Sequence, residues 1–127
     1  MPPADPNPSC ASEGWPPAVI AGAFQTGVLG VRTLRRRGVQ AVCFDSNPHQ
    51  TGFRSVYGPA RLCPSPDAAP DAWLGFMVDL AKTLPGRAAL SSSSDLFVTA
   101  IARLADDLAE HYSVGPVFAL QGLLADK

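Results

Sequence analysis

A turn with several glycines, followed after a helix and a strand by an acidic residue, is the part of this sequence best suited to chemistry. Gly22, Gly27 and Gly30 follow the short apolar run 19–21, and Asp45 closes the next apolar run, 23 residues after Gly22. In a β-α-β unit this spacing brings a helix N-terminus and a carboxylate to one edge of a parallel sheet, where phosphates and small polar ligands bind. The sequence therefore predicts a binding face, without the residues of a complete active site.

The spacing of the glycines departs from the dinucleotide-binding fingerprint G-x-G-x-x-G. Gly27 and Gly30 match its last two glycines, but Gln25 stands where the first glycine is expected. The side chains of Phe24 and Gln25 would crowd a pyrophosphate lying across the turn, which disfavours a nicotinamide or flavin dinucleotide. Asp45 lies near the usual distance for an acid that holds a ribose. A stand-alone module that binds a nucleotide or NAD(P) therefore stays open as an alternative.

Hydrophobic periodicity predicts alternating strands and helices around these residues. Val28, Val31 and Leu34 lie at helical spacing, and Gly38 suits the residue that follows a helix. Further strands are predicted at residues 39–44, 60–63, 87–90 and 116–120, and further helices at residues 71–84 and 95–108. Right-handed crossovers between such elements give a Rossmann-like, three-layer α/β fold with a mostly parallel sheet of about four to five strands.

The composition indicates one globular domain without a polyanionic partner. The chain has 127 residues, of which 46% are hydrophobic, and a formal net charge of −1. A chain of this length suits a single core. The small net charge gives no electrostatic reason to expect nucleic acid or an anionic membrane as partner. The basic run 35–37 is interpreted as a solvated helix end, which suits the negative pole of the helix dipole.

The two ends of the sequence and its cysteines indicate the domain boundary and the compartment. Residues 1–16 are rich in proline and small polar residues, so we expect a disordered leader there and one domain over residues 17–127. No stretch is apolar enough to cross a bilayer, and the start lacks the pattern of a secretory signal. The three cysteines cannot all pair within the chain and show no metal-ligand spacing. We therefore expect a cytoplasmic protein without a metal site.

Several short segments follow one another in an order that is more specific than any of them alone. They are Ala21-Gly22 with residues 26–30, Arg36-Arg37-Gly38-Val39, Asp45-Ser46-Asn47-Pro48, Gly52-Phe53-Arg54-Ser55, Ser93-Ser94-Asp95 and Leu124-Ala125-Asp126-Lys127. Over residues 17–127 this pattern resembles the N-terminal, pre-ATP-grasp domain of ATP-grasp carboxylate-amine ligases. The last of these segments resembles the entry into the ATP-grasp domain proper.

The resemblance implies a function for the whole enzyme and a smaller role for this chain. Such ligases couple a carboxylate to an amine through an acyl phosphate, with ATP and Mg²⁺ held by a later domain that these residues do not include. The resemblance implies that the chain binds no cofactor alone, is inactive alone, and lines one side of the substrate cleft. Its implied partners are an ATP-grasp catalytic domain, in the same or a separate chain, and a small carboxylate or amine substrate. The implied binding residues are Gly22, Gly27, Gly30, Asp45, Arg54 and Asp95.

Each candidate residue also has a structural interpretation. The glycines suit close packing of a helix on a strand. Asp45 suits the start of a turn with Asn47-Pro48, and Asp95 suits the N-terminal cap of a helix. Arg54 has no obvious partner in the sequence and suits a solvated surface position. For the chain as a whole, the remaining alternative is a non-enzymatic interaction protein that docks a partner through a sheet edge or a helix face.

Overall fold

The computed structural model describes residues 15–54 and 60–114 and contains a sheet of five parallel strands. The strands are β1 (Ala18–Ala21), β2 (Ala41–Asp45), β3 (Ala60–Leu62), β4 (Ala88–Ser92) and β5 (Tyr112–Ser113). The helices are α1 (Gln25–Arg36), α2 (Pro70–Lys82), α3 (Asp95–Arg103) and the short α4 (Ala105–Leu108), with a 3₁₀ turn at Thr51–Arg54. The strand order is β3-β2-β1-β4-β5. The chain adds β2 and β3 on one side of β1 and then crosses to add β4 and β5 on the other side. The strand order therefore reverses between the neighbouring strands β1 and β4.

Helices lie on both faces of the sheet and bury its central strands, in agreement with the predicted three-layer Rossmann-like α/β fold. On β1, Val19 and Ala21 belong to one core cluster while Ile20 belongs to the other, because alternate side chains point to opposite faces. Helix α1 packs on the face that holds Ile20, through the buried Val31. Helices α2, α3 and α4 cover the opposite face. β1 is apolar throughout and β2 is apolar up to its last residue, Asp45, because parallel strands at the centre of a sheet lose water on both sides.

Aromatic rings fill the larger core cluster. The ring of Phe44 on β2 lies with its centroid 5.3 Å from that of Phe97 and 6.3 Å from that of Trp73. The Phe44 and Phe97 rings meet edge to face, at an interplanar angle of 90°, which is a favourable aromatic geometry. Helices α2 and α3 are thus anchored on the same strand, and that strand ends at the candidate residue Asp45.

The end of the described chain differs from the predicted order of elements. The predicted helix 95–108 is divided at Leu104 into α3 and α4. The two-residue strand β5 follows at Tyr112–Ser113 and pairs with β4, although no strand was predicted there. Its position is fixed by a distant contact, since the Tyr112 hydroxyl donates to the Met77 carbonyl oxygen at 2.7 Å. The predicted strand 116–120 and residues 1–14 of the predicted leader lie outside the described residues.

No helix in the described ranges is both long and apolar enough to cross a membrane. The longest helices are α1, with 12 residues, and α2, with 13 residues. A membrane-spanning helix needs about 20 apolar residues.

Replacing Tyr112 by phenylalanine removes the hydrogen bond to Met77 while keeping the buried ring. Because a buried carbonyl loses its extra donor, we expect the free energy of unfolding to fall by about 1 kcal/mol in urea titrations. The control is Ser113→Ala on the same strand, at an exposed position, where a change within about 0.5 kcal/mol is expected. Equal losses in both variants would contradict the anchoring role of the hydroxyl.

Cys43 and Cys63 should be unreactive in the folded chain. They belong to different core clusters, and burial raises the pKa of Cys43 to about 11 and that of Cys63 to about 12, with the nearby Asp45 charge adding to both increases. In a Cys10→Ser variant, we expect no reaction with Ellman's reagent at pH 8 until urea unfolds the chain. The protonated thiols also support the fold below pH 9, and this contribution is lost as the pH rises from 9 through about 11 to 12. Rapid labelling of even one thiol in the folded variant would contradict the conclusion that both are buried.

Candidate functional site

A cleft of about 370 Å³ lies at the carboxyl ends of the central strands. It occupies the point between β1 and β4 where the strand order reverses, which is the usual ligand position in open α/β sheets. Its lining comes from the β1–α1 turn (Gly22 and Phe24), from the loop after β2 (residues 45–47 and Gln50) and from the segment that opens α3 (Ser93, Ser94 and Leu96). Three separate segments of the chain therefore converge on one space.

The β1–α1 turn passes very close to the segment that follows β4. Gly22 has a φ angle of +113°, a conformation that side chains rarely adopt. A Cβ atom at this position would lie only 2.5 Å from Ser93 Oγ. The neighbouring backbone is also paired across the sheet, because Gly22 N donates to the Phe44 carbonyl at 2.8 Å and Ser93 N donates to the Ala21 carbonyl at 2.9 Å. Glycine is required here so that the two segments can approach each other at the cleft floor.

Asp45 joins the loops on two sides of the cleft. Its side chain is buried, with 5% exposure. Oδ2 accepts a hydrogen bond from Ala23 N at 2.9 Å, and Oδ1 accepts one from Asn47 N at 3.0 Å. Hydrogen bonds to an ionised acceptor are stronger than neutral ones. Asp45 therefore holds the β1–α1 turn against the loop after β2. Its hydrogen bond with Asn47 N also forms the turn that the sequence predicted as its structural role.

The serines after β4 differ in how far the protein already uses their hydroxyls. Ser92 Oγ donates to the Ser94 carbonyl at 2.8 Å and accepts from Ser94 N at 3.1 Å. Ser93 Oγ donates to the Ala21 carbonyl at 3.3 Å. The side chains of Ser94 and Gln50 line the cleft and make no hydrogen bond with the described residues. These two side chains are free to hydrogen-bond a ligand, as is Ser46 Oγ, which lines the same cleft without a hydrogen bond to the described residues.

The lining combines a polar floor with exposed apolar side chains. Asp45 is its one charged residue among the described ranges, and no lysine, arginine or histidine there takes part. Phe24 and Leu96 line the same cleft with 54% and 37% of their surface exposed. The site thus offers hydroxyl and amide groups together with an apolar surface.

The structure brings together two of the six predicted binding residues, Gly22 and Asp45. Gly27 and Gly30 lie within α1, where an added Cβ would overlap the Gly22 carbonyl oxygen in the first case and lie 2.8 Å from Ile20 Cδ1 in the second. Both glycines therefore serve the close packing of α1 on the sheet.

The other two predicted residues, Arg54 and Asp95, lie outside the cleft lining. Arg54 ends the 3₁₀ turn, and Asp95 is the first residue of α3, after the N-cap Ser94; both side chains are exposed. Asp95 is placed in the first turn of α3 to interact favourably with the helix dipole, but the N-cap position predicted for it is taken by Ser94, which makes no side-chain capping hydrogen bond. Binding of a ligand by any of the six residues stays a prediction.

Several residues that line the cleft were not among the binding residues predicted from the sequence. Ser93, Ser94 and Asn47 follow the carboxyl ends of strands, and that position alone identifies them as candidates. Gln50 and Leu96 carry no such signal, because their approach to the cleft depends on how the loop after β2 and the start of α3 fold back. In the part of the chain that the structure describes, no group of three histidine, cysteine or acidic residues could hold a metal ion.

Comparison of the chain with protein-family models, with curated proteins and with solved structures gave no match.

A pair of glycine-to-alanine changes in two helices tests the close packing beneath the cleft. Gly27→Ala places a methyl group against the Gly22 carbonyl, whereas Gly75→Ala in α2 meets no atom within 4 Å. We expect the first change to lower the free energy of unfolding by about 1 to 3 kcal/mol through overpacking. The second should raise it by up to about 1 kcal/mol, because alanine has the better helix propensity. Urea unfolding measures both, and a neutral or stabilising Gly27→Ala would refute the packing role.

Proposed function

We propose that this chain is the N-terminal, substrate-lining domain of an ATP-grasp carboxylate-amine ligase in the cytoplasm, and that it does not turn over ATP alone. The observation that carries the proposal is the cleft between β1 and β4, which free polar side chains line and where Asp45 joins the β1–α1 turn to the loop after β2. This is where a Rossmann-like domain meets its ligand. The resemblance of the sequence to the pre-ATP-grasp domain supplies the enzyme class.

The arrangement of the cleft supports the role of a wall. Both carboxylate oxygens of Asp45 accept backbone hydrogen bonds, and the side chain is 5% exposed. Such a group is suited to holding loops in place, whereas a general base must reach a proton on the substrate. The hydroxyls of Ser92 and Ser93 are likewise engaged with backbone carbonyls. The cleft can therefore position a substrate, while the groups that activate a carboxylate, together with ATP and Mg²⁺, would come from the ATP-grasp domain.

A nucleotide- or NAD(P)-binding module is the second candidate because the strand order β3-β2-β1-β4-β5 is that of the first five strands of dinucleotide-binding folds. The local geometry disfavours it. Phe24 stands at the N-cap of α1 and lines the cleft, where a pyrophosphate would need to approach the helix N-terminus. A ribose would also compete with the backbone donors that already occupy the buried Asp45.

Nucleotide binding and hydrolysis by the purified chain separate these candidates. We expect no magnesium-dependent ATP hydrolysis, and no thermal stabilisation by ATP·Mg²⁺, NAD⁺, NADP⁺ or FAD, because none of them meets a complete site. A ligand at a hundred times its Kd stabilises a protein by about 2.7 kcal/mol, which for a domain of this size is a shift of the melting temperature by roughly 10 °C. A shift of that size with NAD⁺ or NADP⁺ would favour the module, and magnesium-dependent ATP turnover would refute the proposal.

The reading frame after Lys127 gives a positive test of the same proposal. Continuation into a domain with the lysines and acidic metal ligands of ATP-grasp enzymes, in cis or in an adjacent gene, would support the ligase assignment. Neighbouring coding sequence without any such domain would contradict it, and the purified chain would then be tested in pull-down experiments for a protein partner.

A further inference from the structure

We propose that the cleft receives an uncharged, ring-bearing part of its ligand, seated against Phe24 and Leu96. This inference rests on the proposed function, since it names the class of substrate that the same cleft would hold. It follows from the charge of the lining, from the position of its apolar side chains and from the polar groups left free at its floor.

The charges that line the cleft nearly cancel, while the exposed carboxylate of Asp95, in the first turn of α3, lies outside the lining. The N-termini of α1 and α3 both open at this edge of the sheet, and each carries roughly half a positive charge. Asp45 supplies one negative charge, and no other charged side chain of the described residues lines the cleft. A charged ligand would lose hydration on entering without gaining a counter-ion. The lining therefore favours a ligand that is uncharged at this point.

Phe24 occupies a position where its residue type is unfavourable for the helix. It is the N-cap of α1 and makes no side-chain capping hydrogen bond, whereas serine, threonine, aspartate or asparagine would satisfy a free backbone donor there. Its ring is 54% exposed and lines the cleft together with the partly exposed Leu96. Single exposed apolar residues need no explanation, but two that share one cleft offer a surface for a flat apolar group.

The floor of the cleft adds uncharged hydrogen-bonding groups. Ser94 Oγ can donate and accept, and the Gln50 amide offers an acceptor and two donors. Both side chains line the cleft without a hydrogen bond to the described residues. A ring that carries an amide or hydroxyl group would therefore contact Phe24 and Leu96 through the ring and hydrogen-bond Ser94 and Gln50 through the polar group.

Four small probes separate charge from ring. Benzamide, benzoate and benzylamine have nearly the same shape but are neutral, anionic and cationic at pH 7, and acetamide is neutral without a ring. Titrations followed by ¹H–¹⁵N chemical shifts of the full chain should place benzamide at the amides of Gly22, Ser93 and Ser94. We expect its Kd to be at least about 5-fold lower than that of acetamide, since one aromatic contact contributes about this factor. Its Kd should also be lower than those of benzoate and benzylamine, since their charges would lose hydration without gaining a counter-ion.

Matched variants of α1 test the role of the Phe24 ring. Phe24→Ala should weaken benzamide about 5-fold or more and remove its advantage over acetamide. Leu29→Ala changes another residue of the same helix, 61% exposed and outside the cleft lining, and should leave the Kd within about 2-fold. Unchanged amide spectra away from the cleft verify that both variants fold.

Three results would overturn the inference. They are equal or tighter binding of benzoate or benzylamine, no benzamide shifts at the cleft amides, and a benzamide Kd that Phe24→Ala does not change. These results concern the small probes only, whereas the proposed function is tested by ATP hydrolysis and by thermal shifts with dinucleotides. Failure of the substrate class is therefore distinguishable from failure of the proposed function.

Discussion

The pair of hydrogen bonds accepted by Asp45 is the constraint on which the candidate site depends. One oxygen accepts from Ala23 N on the β1–α1 turn, and the other accepts from Asn47 N on the loop after β2. The two loops are thus held by one side chain that is itself buried at the end of a central strand. An uncompensated carboxylate in this position would be very costly, so the backbone donors and the acid require each other. The two hydrogen bonds of the carboxylate therefore fix the β1–α1 turn and the loop after β2 relative to each other.

Close packing around the β1–α1 turn adds to the same constraint. Gly52 N, in the 3₁₀ turn, donates to the Ala23 carbonyl at 2.7 Å, and an added Cβ at Gly52 would meet both Ala23 and Val28. Ala23 thus donates to Asp45 and accepts from Gly52, so the loop after β2 is attached to the turn at two points. Gly27 brings α1 down on the other side of the turn. A rigid floor of this kind is suited to presenting a substrate in one orientation.

The sequence allowed the centre of the fold to be predicted, because local patterns determine it. Short stretches of sequence were enough to predict β1, β2 and α1, because their apolar runs and the helical spacing of Val28, Val31 and Leu34 are local patterns. The same is true of the end of α1, where Gly38 has a φ of +85°. The strand β5 depends on a hydrogen bond between residues 35 positions apart, which no local pattern contains. The roles of Gly27 and Gly30 could not be assigned from their spacing either, because helix packing and ligand approach both require glycine. Only the atoms that an added Cβ would meet distinguish the two roles.

The burial of β4 connects the cleft with the proposed position of the domain in a larger enzyme. Ala88 and Leu90 are buried beneath α3 and α4, but Ala89 and Ser91, on the opposite face, are exposed. Parallel strands are normally covered on both faces, and the central β1 and β2 follow that rule. The half-covered strand is the one whose carboxyl end leads into Ser93 and Ser94 at the cleft floor. Under the proposed function, a second domain packed on this small-residue face would lie on the strand that leads into the cleft floor.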